Sequence, residues 1–469
     1  MSELDRLAAA CLQPSFPGHA VPEWVARWLE RGLGGITLFA YNVGDPGQLA
    51  ELTGALRAER PELLISIDEE GGDVTRLEAE HGSSYPGNLA LGAVDDVALT
   101  EAVAGAIAAE LAAAGVNLNL APVADANTNP LNPVIGVRSF GADPELVARH
   151  VAAFVTGTQR QGVAGCAKHF PGHGDTAADS HRELPVIEGD LDDALLPFRA
   201  AIAAGTRAVM AGHLLVPALD DAPASLSEPI LSGLLRAELG FDGLIVTDAL
   251  EMAAVSSTYG VEEAAVRSLI AGADSLGLGH DLHEDAVERV HAAIVGAVRA
   301  GRLTEERLAE AADRVAALGR WASPTSVGAA GRDVGAEAAR RALQASGEVT
   351  IAGPILVLEL IPEANIAAGE AEHGPADVLP DAVSVQLRGA PDDLAAVLAE
   401  HDGRRLVVVV RDAARHGWQA DTVAAATALC PDLVVVETGI PGSRPEAGAF
   451  IATLGAGRAN LEAMAAATR

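Results

Sequence analysis

Short apolar runs alternate with longer stretches of helical periodicity along the first 320 residues. Gly34-Gly-Ile-Thr-Leu-Phe39, Leu63-Leu-Ile-Ser-Ile-Asp68, Val116–Val123, Val163–Ala167, Ala208–His213, Gly243-Leu-Ile-Val-Thr-Asp248 and Ala273–Leu278 are short, apolar and flanked by turn formers. Runs of that kind read as buried strands. The segments between them, Pro22–Arg31, Gln48–Glu59, Ala98–Ala114, Glu145–Gln161, Leu191–Ala204, Ile230–Glu238 and Glu262–Ala271, have helical spacing, and Asp285–Ala300 and Thr304–Leu318 extend the series. Regular alternation of this sort implies parallel strands joined by right-handed crossovers. Seven or eight such units suit a (β/α)8 barrel, allowing for an imperfect one, better than an open sheet; no eighth strand stands out.

After residue 320 the pattern changes. Residues 321–334, rich in Ser, Pro, Gly and Ala, read as a linker. Beyond it Ile355–Leu360, Leu406–Val410 and Leu433–Glu437 are dense β-branched runs, separated by helical stretches at 392–400 and 421–429, with another at 335–344. This is the pattern of a parallel sheet buried on both faces. The expected organisation is therefore an α/β chain: a barrel over 1–320, the linker, and a smaller α/β sandwich domain over 335–469.

Composition narrows the partners. The formal charge of −33 argues against nucleic acid and anionic membrane surfaces, which are themselves polyanions. No apolar run is long enough to cross a bilayer, and Met1-Ser-Glu-Leu-Asp-Arg6 has no secretory pattern. Three scattered cysteines, Cys11, Cys166 and Cys430, form no disulfide framework. A cytoplasmic protein is expected.

The chemistry concentrates in Lys168-His-Phe-Pro-Gly-His-Gly-Asp-Thr-Ala-Ala-Asp-Ser-His181, immediately after a strand. Barrels keep their active sites at that end of the sheet. Lys168 is the only lysine of the chain, and a compact ammonium beside His169 has uses a planar guanidinium lacks. Solvated loop residues and helix caps are the bland reading. A metal site is a third, but His169, His173, Asp179 and His181 lack the short regular zinc spacings. Other polar groups close strands: Asp68 with Glu69 and Glu70, Asp125 with Asn127, His213, and Asp248. A carboxylate at the end of an apolar strand is a nucleophile candidate, although capping the next helix is the alternative for Asp248. In Asp179-Ser-His181 the carboxylate and imidazole are two residues apart, so Asp179 can orient His181 for acid/base work. Asp68, Arg76, Arg138, Lys168 and His169 would then grip several hydroxyls, an inventory that suits a sugar.

These residues carry a family resemblance. Lys168–Thr176 with Asp179-Ser-His181, Asp68-Glu-Glu-Gly-Gly-Asp-Val-Thr-Arg76, Asn117-Leu-Asn-Leu-Ala-Pro122, Ile135–Gly141 and Gly240–Met252 together resemble glycoside hydrolase family 3, in its β-N-acetylglucosaminidase branch. The resemblance covers roughly residues 30–320, and the second domain follows the family only in general pattern. It implies that Asp248 is the nucleophile, that His181 is the acid/base assisted by Asp179, and that Asp68, Arg76, Arg138, Lys168 and His169 bind substrate. It also implies retaining, exo-acting release of β-linked N-acetylglucosamine from the non-reducing end of chitin oligosaccharides or cell-wall fragments, with no metal or organic cofactor. A phosphorylase on the same scaffold, with phosphate as acceptor, is the competing expectation; a metal-dependent barrel hydrolase and a catalytically silent sugar binder are the others. Glu69 and Asp73 stand where the family often has an amide and an arginine, and are expected to add acidity near the mouth and alter what lies beyond the first sugar.

Overall fold

The computed structural model describes residues 2–189, 191–280, 283–324, 331–351, 353–363, 373–442 and 448–469. Part of the expected linker, 325–330, lies outside the described residues. The chain divides into two compact units. One comprises Met1–Glu69, Thr100–Ile135 and Ala142–Ala330, the other Glu70–Leu99, Gly136–Gly141 and Gly331–Arg469. The second unit thus takes in two short segments, 70–99 and 136–141, that the strand–helix count alone assigns to the barrel.

In the first unit six strands form one parallel sheet in chain order: β2 (Gly35–Leu38), β3 (Leu64–Ile67), β4 (Leu118–Asn119), β5 (Ala164–Phe170), β6 (Ala208–Ala211) and β7 (Leu244–Thr247). Two more strands, β1 (Leu12–Gln13) and β8 (Leu276–Gly277), pair in parallel with each other. Backbone hydrogen bonds complete the circle. Thr37 N–H donates to Pro14 O at 2.9 Å, Leu276 N–H to Cys11 O at 2.8 Å and Thr247 N–H to Ser275 O at 3.0 Å. The eighth strand, invisible in the sequence pattern, is therefore the first one. It is two residues long and stops just before Pro14, too short for any periodicity to register.

A polar seam reinforces that closure. The buried Gln13 amide donates to Thr37 Oγ1 at 3.0 Å and to Ser66 Oγ at 2.5 Å, while Ser275 Oγ donates to Gln13 Oε1 at 2.8 Å. One side chain on β1 so ties together β2, β3 and the residue before β8. Below it Leu64, Leu118, Cys166, Met210 and Val246 form a buried cluster with Val315 and Leu318 of the helix Glu305–Trp321. Each fully buried aliphatic side chain contributes about 1.5–3 kcal/mol.

The second unit is built on a six-stranded sheet of β9 (Gln344–Gly347), β10 (Ile355–Leu360), β11 (Ala382–Leu387), β12 (Arg405–Val410), β13 (Val434–Glu437) and β14 (Ala449–Ala452), in the spatial order β11-β10-β12-β13-β14-β9. Only β9 runs antiparallel, at an edge. Alternate residues of the central strands face two cores. Leu356, Leu358, Val408 and Val435 pack with Ala90 and Ala342, and Val357, Val407, Val434 and Val436 with Met464. Both faces are covered, which is why these strands read as unbroken apolar runs. Among the described residues no helix is long and apolar enough to cross a membrane.

Candidate active site

The carboxyl ends of the barrel strands carry the polar groups, and hydrogen bonds sort them. Lys168, on β5 and 2% exposed, places Nζ 2.6 Å from Asp68 Oδ1 at the end of β3. The lone lysine and the first strand-end carboxylate thus form one ion pair rather than two independent contacts. The next residue, His169, donates Nδ1–H to Asp125 Oδ2 at 2.8 Å. Asp125 also accepts the backbone N–H groups of His169 at 3.2 Å and of His173 at 2.7 Å through Oδ1. Fully buried, it pins both ends of the His169–His173 turn. The Lys168–His169 and Phe170–Pro171 peptides here are cis.

The loop after β5 carries the second carboxylate–imidazole pair. His181 Nδ1–H donates to Asp179 Oδ1 at 2.7 Å, and the His181 backbone N–H reaches the same oxygen at 2.9 Å. Burial would raise the Asp179 carboxyl, but these bonds and the imidazole charge hold it below its ordinary value. With Nδ1 committed, the mobile proton of His181 belongs to Nε2. His173, between the two pairs, is not a third copy. Its Nδ1 lies 2.6 Å from Thr176 Oγ1 and its Nε2 3.2 Å from Ser180 Oγ, so it braces the loop. Among the described residues no group of three or more His, Cys, Asp and Glu side chains is arranged to hold a metal ion.

Asp248 closes β7 and is half-buried. Burial alone would raise its carboxyl, yet the imidazoles of His169, His213 and His181, with the Ala249 N–H, bring it down to about 2. That N–H lies 2.8 Å from Asp248 Oδ1. The bond is local, to the next residue, and no helix follows until Ala253, so helix capping does not account for Asp248. His213, at the end of β6, fixes the peptide that follows. Its Nε2–H donates to Ala249 O at 3.0 Å, which leaves Nδ1 to accept the Ser225 hydroxyl at 2.7 Å. Burial lowers its pKa.

Two expected sugar-binding residues, Arg76 and Arg138, belong to the second unit. There Arg138 makes a two-pronged contact with Glu70, Nε to Oε2 at 3.0 Å and Nη2 to Oε1 at 2.9 Å, with both side chains buried. Asp73 is also taken up within that unit. It pairs with Arg411 and accepts the Ala456 N–H at 2.7 Å, tying the 70–99 segment to the loops of the sheet. Glu69, the other departure from the family pattern, is buried, with its backbone N–H and C=O bonded to the Asn119 side chain. Asp73 thus has side-chain partners, and Glu69 backbone ones, that the sequence pattern did not disclose. Asp125 and His213 were visible as strand-end polar residues. Only their partners separate a positioning group from one left available for substrate.

A depressed carboxylate, an oriented imidazole and buried ion-paired polar groups thus gather at the strand ends of a closed parallel barrel, the end at which such barrels hold their active sites. The chain belongs to glycoside hydrolase family 3: the model of the glycosyl hydrolase family 3 N-terminal domain matches residues 10–318. β-Hexosaminidase A of Pseudoalteromonas piscicida is 37% identical over 317 residues, covering 61% of this chain and 53% of that protein. The chain therefore spans about half the length of that relative. A β-hexosaminidase of Stenotrophomonas maltophilia is 36% identical over 295 residues, 59% of this chain and 87% of its own. Among solved structures, a family 3 β-N-acetylglucosaminidase from Paenibacillus sp. str. FPU-7 superposes with a TM-score of 0.89 at 34% identity, covering 100% of this chain and 97% of that one.

Proposed function

We propose that the protein is a retaining, exo-acting β-N-acetylglucosaminidase that removes terminal β-linked N-acetylglucosamine from chitin oligosaccharides or cell-wall fragments. Asp248 attacks the anomeric carbon while His181 Nε2 gives its proton to the departing oxygen, and the bond to the leaving group breaks as the glycosyl-aspartate forms. Water then attacks the same carbon, His181 takes its proton, and the sugar leaves with its β configuration restored. Asp179 holds the imidazole in the tautomer both steps need. Lys168 with Asp68, and His169 held by Asp125, receive the hydroxyls of the terminal sugar. The observation that carries this reading is the pairing of Asp248, deprotonated well below neutrality, with an imidazole whose Nδ1 is already committed.

Asp248→Ala is expected to leave a folded protein that has lost nearly all turnover, by about 10⁴-fold or more, because no second group can take the sugar. A fluorinated β-glycoside that traps the intermediate should attach to the peptide containing Asp248; attachment to Asp68 or Asp175 removes the assignment.

A second reading has its own support. After the first step a histidine acid/base is neutral, whereas a carboxyl would be an anion that repels phosphate. Phosphate as acceptor would yield an α-sugar 1-phosphate. Product analysis at rising phosphate and constant ionic strength separates the two, since the hydrolytic reading requires free sugar at every concentration.

A further inference from the structure

The chain has few aromatic residues, only 8 Phe, 4 Trp and 3 Tyr. Two of them, with a histidine, form a patch on the rim of the barrel. Phe39, directly after β2, stacks on Tyr41 with ring centroids 5.5 Å apart and 26° between planes. The His280 ring meets Phe39 edge-on at 5.8 Å. Tyr41 is 38% exposed, a large apolar surface left in water although the rest of the aromatic complement is mostly in the core.

The patch is braced. Buried Asn42 accepts the Phe39 N–H at 3.0 Å and donates to Phe16 O and Gly18 O, both at 2.8 Å, so the turn that presents Tyr41 is fixed. The Tyr41 hydroxyl donates to Ser15 Oγ at 3.1 Å, and Ser15 Oγ in turn donates to Gly279 O at 2.8 Å. Glu251, three residues beyond Asp248, accepts the His280 N–H at 2.6 Å. The rings are thus tied to the same loop as the candidate nucleophile.

Their place around the barrel is informative. Asp68, Asp125, Lys168, His169 and His213 stand on or at the ends of β3 to β6, while the aromatic patch occupies the ends of β2 and β8. Asp248, on β7, lies where the polar arc meets the aromatic one. A terminal sugar held by the polar arc has its hydroxyls satisfied there. The sugar beyond the scissile bond needs a flat apolar surface for its C–H face, and exposed aromatic rings supply one. We infer that Phe39, Tyr41 and His280 form the binding subsite for the pyranose ring on the leaving-group side of the cleaved bond. This assignment rests on the reaction proposed above.

The test compares two substrates that share the terminal sugar. Chitobiose has a sugar leaving group; β-N-acetylglucosaminyl fluoride has none. In Tyr41→Ala the ratio of kcat/KM for chitobiose to kcat/KM for the fluoride should fall about tenfold, and in Tyr41→Phe, which keeps the ring, it should stay within about twofold of wild type. An unchanged ratio in Tyr41→Ala overturns the subsite, as does a fall in Tyr41→Phe equal to that in Tyr41→Ala. Failure of the underlying reaction looks different: the wild type would then release N-acetylglucosamine from neither substrate.

Discussion

Two carboxylate–imidazole pairs lie within one short stretch of this barrel's mouth, and they are built for different work. Asp125 is fully buried and His169 nearly so, whereas the side chains of Asp179 and His181 are 13% and 25% exposed. Asp125 spends its oxygens on one ring N–H and two backbone N–H groups. Asp179 serves only residue 181 with its side chain, through ring and backbone. The first pair fixes the shape of a turn. The second holds an imidazole at the edge of solvent, where a proton has somewhere to go. On the mechanism proposed above, the same two residue types give a clamp that fixes a substrate-binding ring when the carboxylate is used up inside the fold, and an acid/base group when the pair sits at the edge of solvent.

The sharpest way to break this contrast is His181→Ala. Turnover of substrates with poor leaving groups should fall by about 10²–10⁴-fold, with far less change on activated aryl glycosides. Equal losses on both would place His181 with the clamp. Asp125→Asn should act on the fold instead. An amide keeps one acceptor but turns its N–H toward either the backbone N–H groups or the ring N–H, so the denaturant midpoint should drop by the equivalent of about 1–3 kcal/mol. Its loss of rate should not depend on the leaving group. Asp179→Asn keeps an acceptor for Nδ1 but loses the charge, and about a tenfold loss is expected, confined to poor leaving groups.

The smallest effect is on stability against pH. The folded protein holds Asp179 below its ordinary value, so its contribution is present above the unfolded pKa and lost as pH falls through the lower folded one. The stability gap between wild type and Asp179→Asn should accordingly narrow as pH falls through and below the ordinary carboxylate value of about 4. A gap that widens toward acid would mean that the pair is not ionised as described.

Much of this was legible in the sequence because parallel strands buried on both faces cannot hide their composition. Seven barrel strands and β10, β12 and β13 follow directly from apolar runs. What escaped did so for identifiable reasons. β1 is two residues long, β9 is an edge strand with the sequence Gln-Ala-Ser-Gly, β11 alternates instead of running apolar because it is the other edge, and β14, though buried, is only Ala-Phe-Ile-Ala. The motif residues of the site were equally visible, since strand-end carboxylates and loop histidines announce polar work. Their partners were not. Nothing local in Asp73 points to Arg411, 338 positions away, or in Asp68 to Lys168, 100 positions away. A change of residue type reads as a change of substrate contact until the fold shows it paired elsewhere.

The two-residue first strand also governs the order of events during synthesis. Leu12 pairs with Leu276, and the hydroxyl of Ser15 reaches across 264 positions to Gly279. At roughly 5–20 residues per second on the ribosome, the first strand waits on the order of tens of seconds for its neighbour. Until then β2 and the strands that follow it can pair in sequence as an open sheet with a bare edge at each end, the state most exposed to pairing with other chains. The segment 70–99 waits longer still, because all of its second unit except 136–141 follows residue 330. Cells making this protein quickly would therefore gain most from a chaperone that shields a half-made barrel, and slowing translation after residue 279 should help less than protecting what precedes it.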